Sequence, residues 1–277
     1  MLNLGCHLSI SNGFLKMGKI SESIGGNTFQ FFSRNPRGGN SKIINQKDIE
    51  DLNAFIKAHH FAPVISHAPY TLNACSDKES VRNYAREVFT GDLAMMEFLP
   101  ENYYNFHPGC HMGQGVKTGI DMIALTLNQI LKRGQHTFVL LETMSGKGSE
   151  IGKSFEELQA IINKVELTEK IGICLDTCHV FAAGYDIVND LEGVLEQFDH
   201  EIGIQKLKAV HLNDSLMPFN SHKDRHAKIG KGKIGSDAIV KIINHPFLRN
   251  LPFLLETPNE LSGYKDEIEF LRSSYNE

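Results

Sequence analysis

Short apolar or β-branched runs, each followed by a turn and a longer stretch of helical spacing, recur eight times along the chain. The strand candidates are Leu2 to His7, Thr28 to Phe32, Pro63 to His67, Tyr103 to His107, Thr137 to Glu142, Gly172 to Asp176, Leu207 to His211 and Pro252 to Glu256. Between them the apolar residues fall on helical stripes. After the fourth strand, Ile123, Leu127, Ile130 and Leu131 share one face, and Lys132 and Arg133 are expected to close the last turn before Gly134. Ser154 followed by Glu157 reads as a capping box that opens a helix carrying Leu158, Ile161 and Ile162. Ile239, Ile242 and Ile243 mark another helix, which stops before Pro246, and Asp48 to Lys57, Leu191 to Phe198 and Tyr264 to Leu271 read the same way. Strands alternating with helices imply a parallel sheet, and eight such units in about 250 residues fit an α/β fold of the (β/α)8 TIM-barrel type. No linker or low-complexity segment divides the chain, so a single domain over residues 1–277 is expected. A doubly wound open sheet is the alternative, but neither Gly25-Gly26 nor Gly38-Gly39 makes the Gly-rich phosphate turn that it would usually show.

With 277 residues, 41% of them hydrophobic, the chain can bury a core without disulfide staples. A formal charge of −5 argues against a generally basic nucleic-acid binder, although bound cations would alter that balance. No apolar run approaches the ~20 residues of a membrane span, and the first residues lack the charged-then-apolar pattern of a signal peptide. Cys6, Cys75, Cys110, Cys174 and Cys178 are odd in number and irregular in spacing, which suits reduced thiols and predicts a cytoplasmic location.

In a barrel of this kind the chemistry collects at the carboxyl ends of the strands. Those ends carry His7, His67, His107, Glu142, Asp176, His211 and Glu256, and nearby loops add His179, Asp224 and His226. Any one of them alone is better read as a hydrogen-bonded structural histidine or a helix-capping carboxylate. Together they converge on one rim only in the barrel, where crowded carboxylates and imidazoles need cations between them. Nine candidates (His67, His107, Glu142, Asp176, His179, His211, Asp224, His226 and Glu256) exceed what one ion uses, since a zinc site takes about four ligands. Three divalent ions, with one carboxylate bridging two of them, would use all nine and would take the formal charge from −5 to +1. Mixed imidazole and carboxylate donors favour zinc or manganese over calcium or magnesium. Clustered divalent ions are a recurrent device for hydrolysing phosphodiesters. His7 lies on the same rim, but a tenth ligand is not required. His59, His60, His111, His136, His200, His222 and His245 have no strand-end or convergent pattern.

Several segments resemble the endonuclease IV family, the zinc-dependent apurinic/apyrimidinic-site endonucleases of base excision repair. They are Gly5-Cys6-His7-Leu8-Ser9, Asn35-Pro36-Arg37, His67-Ala68-Pro69-Tyr70, Asn105-Phe106-His107-Pro108-Gly109, Leu141-Glu142-Thr143 and Leu175-Asp176-Thr177-Cys178-His179 with its continuation to Asp186. His211-Leu212-Asn213-Asp214-Ser215, Asp224-Arg225-His226 and Leu255-Glu256-Thr257 complete the set, which spans nearly the whole chain. The long Asp-Thr-Cys-His stretch and the Asp-Arg-His triplet carry the specificity.

The resemblance implies a TIM barrel with three metal ions, most simply Zn2+, with Mn2+ an alternative at some positions. His67, His107 and Glu142 would hold the first; Glu142, Asp176, His211 and Glu256 the second; His179, Asp224 and His226 the third. It implies cleavage of double-stranded DNA 5′ to abasic sites, trimming of blocked 3′ ends, and hydroxide attack at phosphorus activated by the trinuclear cluster, with Glu256 and Glu142 catalytic. Arg37 and Tyr70 match DNA-contacting positions. No membrane partner is implied, and a monomer is expected. The chain departs from many relatives in having no Trp, in Gly38-Gly39 after Arg37, in Thr71, and in Thr143 after Glu142. Two other readings compete: a sugar isomerase or epimerase of the related barrels, with one metal held mainly by carboxylates, and a non-enzymatic DNA-binding descendant. The surplus of ligands argues against the first, and the full complement of nine against the second.

Overall fold

The computed structural model describes residues 1–35 and 45–276. In chain order the elements are β1 (Leu4–Leu8), α1 (Phe14–Ser23), β2 (Gln30–Phe32), α2 (Gln46–Ala58), β3 (Val64–His67), α3 (Glu79–Met96), β4 (Asn102–Phe106), α4 (Val116–Ile130) and β5 (Phe138–Glu142). They continue with α5 (Phe155–Ile162), β6 (Ile171–Asp176), α6 (Thr177–Ala183), α7 (Leu191–Glu201), β7 (Leu207–His211), β8 (Asp214–Ser215), β9 (His226–Ala227), α8 (Gly235–Asn244), β10 (Phe253–Leu255) and α9 (Leu261–Ser273). Among the described residues, eight strands close into a parallel barrel in the order β1-β10-β7-β6-β5-β4-β3-β2. This is the expected TIM barrel. None of the described helices is long and apolar enough to cross a membrane.

The period of two along each strand sorts its side chains between two cores. Outward residues such as Val139 and Leu141 of β5, or Ile171, Ile173 and Leu175 of β6, pack against the helices. Inward residues form a separate plug of Ile65, Leu140, Cys174, Ala209 and Leu254, with Tyr103 and Phe138 packed against it. Two residues further along β3, β5, β6 and β7, the same inward parity brings His67, Glu142, Asp176 and His211 to the rim. The apolar plug therefore gives the polar layer a dry floor.

A short antiparallel pair, β8 with β9, was not legible in the sequence, because two residues per strand carry no period. The expected closure of α4 by Lys132 and Arg133 is corrected: the helix ends at Ile130, with Leu131 extended. Gln135 causes the stop, its side-chain oxygen accepting from the Lys132 amide at 2.9 Å while its own amide donates to the Lys132 carbonyl at 3.2 Å. The capping box at α5 forms in altered shape. Ser154 accepts from the Glu157 amide at 3.3 Å, but the Glu157 carboxylate reaches to the amides of Gly152 and Lys153 instead of Ser154. At the end of β2, Ser33 and Arg34 are tied to buried Asp92 of α3, which also receives the Tyr104 hydroxyl at 2.9 Å.

Closure of the barrel at β1 depends on a missing side chain. A Cβ at Gly5 would collide with the Thr28 backbone carbonyl, which cannot swing aside. Gly5→Ala is therefore expected to destabilise the fold by about 3 kcal/mol through overpacking. Urea denaturation measures this, and an unchanged midpoint would show that the strands have room to part.

Candidate metal centre

Adjacent strands deliver the site in register: His7 stands beside Gln30, His67 beside Asn105, and Asp176 beside His211. His107 and Glu256 follow directly on β4 and β10. Glu142 is the hub. Its fully buried carboxylate lies 3.1 Å from His67 Nε2, 3.3 Å from His107 Nε2, 3.3 Å from His179 Nδ1 and 3.2 Å from His211 Nδ1. Glu256 lies 3.2 Å from His211 Nδ1. Asp176 does two jobs: Oδ1 caps α6 by accepting from the His179 amide at 2.8 Å, and Oδ2 faces His211 and His226 at 3.8 and 3.6 Å. His226 opens β9 and Asp224 precedes it by two residues; their side chains meet at 3.3 Å.

The imidazoles are oriented from behind. His67 Nδ1 donates to the Ala68 carbonyl at 2.6 Å, His179 Nδ1 to the Thr143 carbonyl at 2.8 Å, and His226 Nδ1 to the Glu256 carbonyl at 3.3 Å. His211 is reversed, with Nε2 donating to Gln30 Oε1 at 2.7 Å. In each ring the proton is held on the far nitrogen, which leaves the other as a lone-pair donor facing the cluster. Nε2 of His179 and of His226 are buried and find no hydrogen-bond partner. Unpartnered buried nitrogens of this kind fit a cation that completes their shell.

Electrostatics point the same way. Burial alone would push the Glu142 carboxyl up, but His107 and His211 outweigh it and hold it well below the usual carboxylate range. Burial likewise opposes ionisation of Glu256, and His211 reverses the effect. Asp224 is drawn down to about 2, because the His179 imidazole, with Nε2 3.5 Å from its carboxylate, overcomes burial. His179 and His211 are raised well above their ordinary value although burial opposes it, the first chiefly by Asp176 and the second by Cys174, Glu256 and Glu142. Glu142, Glu256 and Asp224 are thus held anionic by neighbouring positive charge, which divalent ions supply more strongly than imidazolium protons.

Ligand atoms gather within 4.8 Å of one another in the groups His67–His107–Glu142, His67–His211–Glu256 and Glu142–Asp176–His211–Glu256. Two further groups, Asp176–His179–His226 and Cys178–Asp224–His226, overlap at His226 and bring in a buried thiol that the strand-end pattern does not single out. All nine candidate ligands are therefore brought together around one cleft. The cleft has a volume of about 590 Å3, and its walls include Phe32, Tyr70, Lys147 and Asn259. Tyr70 is half-exposed at this wall, 6.1 Å from the Phe32 ring. Arg37 lies outside the described residues. His7 lies on the rim, 3.7 Å from Glu256. Among the histidines set aside on sequence grounds, His59 pairs with Glu22, His136 with Glu97 and His245 with Glu192, all away from the cleft.

Sequence reasoning missed the amides. Gln30 donates to Glu256 Oε1 at 2.6 Å, Asn105 to Glu142 Oε2 at 2.6 Å, and Asn213 to Asp176 Oδ2 at 2.8 Å. Thr143, noted only as a departure, accepts from the Asp176 amide at 2.9 Å. Strand parity could have found the first two, since Gln30 of β2 and Asn105 of β4 occupy inward positions, two residues before Phe32 and His107 on the cleft. Gln30→Leu leaves His211 Nε2 without its acceptor and is expected to weaken metal binding by about 10- to 100-fold. Competition against a chromogenic chelator measures it, and undiminished affinity would mean that Gln30 does not orient the ring.

A family model described as Xylose isomerase-like TIM barrel matches residues 19–274. The chain is 60% identical to "Probable endonuclease 4" of Alkaliphilus oremlandii (strain OhILAs), covering 99% of this chain and 98% of that protein. It is 54% identical to the protein of the same name from Methanosphaera stadtmanae, over 99% of this chain and 100% of the other. Among solved structures it is similar to endonuclease IV from Thermus thermophilus, with a TM-score of 0.88, 28% identity and 98% of each chain covered. A D-tagatose 3-epimerase-like protein shares the fold at a TM-score of 0.72 and 18% identity, over 98% of this chain and 96% of that one.

Proposed function

This chain belongs to the endonuclease IV family, and on that premise we propose that it hydrolyses the phosphodiester 5′ to abasic sites in double-stranded DNA. The products are a 3′-hydroxyl and a 5′-deoxyribose phosphate, and blocked 3′ ends are trimmed by the same chemistry. The observation that carries the proposal is the set of imidazoles oriented from behind, with two buried ring nitrogens left unpartnered beside four carboxylates.

His67, His107 and Glu142 would hold one divalent ion, Glu142, Asp176, His211 and Glu256 a second, and His179, Asp224 and His226 a third, with zinc or manganese suited to the donors. Bound there, such ions activate water, neutralise the phosphate and stabilise the departing 3′-oxygen. Glu256 orients the attacking water and takes its proton at the carboxylate, whose Oε1 is steadied by Gln30. Glu142 keeps four imidazoles at fixed spacing around it. Phe32 and Tyr70 form an apolar wall beside which an abasic sugar, released from the stack at lower cost than an intact nucleotide, can be received. Arg37 and Tyr70 contact the duplex. The five free thiols suit a cytoplasmic setting.

A duplex carrying one abasic analogue tests the proposal. The expected result is a single incision on its 5′ side whose 3′ end a polymerase extends. An intact duplex, together with epimerisation of ketoses, would place the chain with the sugar-converting barrels instead.

A further inference from the structure

Five cations, Lys223, Arg225, Lys228, Lys231 and Lys233, stand within eleven residues that contain one carboxylate, Asp224, in a chain whose formal charge is −5. The last three occupy the loop from β9 to α8, on the connection that follows β7 and therefore at the barrel face that bears the cleft. All three lysines are exposed, while Ile229 and Ile234 between and beside them are buried. No carboxylate among the described residues lies within 4 Å of any of these three ammonium groups.

The loop is built, not merely charged. Asp214 of β8, fully buried, accepts from the amides of Gly232 and Ile234, each at 2.9 Å, and from Gly235 at 3.3 Å. Glu267 of α9 accepts from the Ile229 amide at 2.8 Å and from the Thr257 hydroxyl at 2.6 Å. The Lys231 amide donates to the Lys228 carbonyl at 2.9 Å, and the Lys233 amide to the Ser215 carbonyl at 2.7 Å. Gly232 sits so close to Asp214 and the Ser215 carbonyl that a Cβ would collide with both. Two buried carboxylates thus fix a loop whose outward side chains are lysines, so little backbone order remains to be lost on binding.

We infer that Lys228, Lys231 and Lys233 form a preorganised binding surface for the phosphate backbone of duplex DNA flanking the cleft. The inference rests on the nuclease reading and extends it, assigning to one arm of the duplex a contact that carries affinity and no base sequence. Lysine suits this role as a point charge toward phosphate. Each neutralised phosphate steepens the salt dependence of binding by about 0.9 in log–log slope.

The test uses the metal-loaded, full-length protein and its triple variant Lys228→Gln, Lys231→Gln, Lys233→Gln on a long abasic duplex. With saturating DNA, kcat is expected to be unchanged. The slope of log(kcat/KM) against log[salt] is expected to be shallower by about 2.7, so the advantage of the unsubstituted protein shrinks about 40-fold between about 50 and about 200 mM salt. Shortening one arm of the duplex, but not the other, is expected to remove the difference, and the triple Lys→Arg variant is expected to restore it. Equal slopes and equal KM in a protein that still nicks abasic DNA would overturn this inference alone. Failure of the unsubstituted protein to nick would overturn the reading of the cleft, and this inference with it.

Discussion

Glu142→Gln is expected to lower nicking of an abasic duplex by about 1000-fold or more, equivalent to about 4 kcal/mol of lost transition-state stabilisation. The substitution keeps the volume of a fully buried side chain and removes the one charge that four imidazoles share. Glu142 is common to two of the groups of ligand atoms, so its loss disturbs two ion sites at once. The amide keeps one acceptor oxygen, so turning it toward Asn105, which donates at 2.6 Å, sets its own N–H groups against His179 and His211. The apolar plug below and the helix layer outside are untouched, so the variant is expected to fold. Circular dichroism alongside the nicking assay separates the two effects. Activity within a few-fold of the unsubstituted protein would show that the hub is structural only.

Chelation is expected to act on stability as well as on activity. Six barrel strands, the helix α6 (which carries His179, expected on a loop) and the segment of Asp224 and His226 send carboxylates and imidazoles into one cleft, and their mutual repulsion is relieved by whatever cations bind. An ion held at about 1000 times its dissociation constant adds about 4 kcal/mol to the folded state. At roughly 2–4 °C per kcal/mol for a domain approaching this size, stripping one such site lowers Tm by about 8–16 °C. Nicking should vanish with chelator and return with Zn2+ or Mn2+. The Glu142→Gln protein, having weaker sites, should lose less Tm on the same treatment. Identical melting with and without chelator, in protein that still nicks, would leave the cluster without an energetic role.

The barrel was legible because its constraint is periodic. Apolar parity along β5 and β6 assigns Val139, Leu141, Ile173 and Leu175 to the helix side and leaves Leu140 and Cys174 for the interior. That parity, carried one step further, brings Glu142 and Asp176 to the rim, which is why ionisable strand ends were informative. Residues of weak chemical signal escaped. Gln30, Asn105 and Asn213 are uncharged amides whose importance lies in which atom they face, and nothing in their charge distinguishes them from ordinary polar residues. Cys178 was read only as a reduced thiol, yet the start of α6 brings it to the ligand atoms of Asp224 and His226. The end of α4 was misplaced because the basic pair Lys132 and Arg133, a common closing signal, was outweighed by a local side-chain bond from Gln135. Loop shape was likewise hidden. The anchoring of residues 229–235 by Asp214 and Glu267 depends on partners up to 38 positions away.

Metal content per chain, read together with anomalous diffraction from the same preparation and its nicking activity, tests the central claim most directly. Nine donors with one shared carboxylate should hold about three divalent ions, placed at the His67–His107–Glu142, Glu142–Asp176–His211–Glu256 and His179–Asp224–His226 groups, in protein that incises abasic duplex. A solitary ion held by carboxylates, in protein that leaves abasic DNA whole and interconverts ketoses, would contradict it.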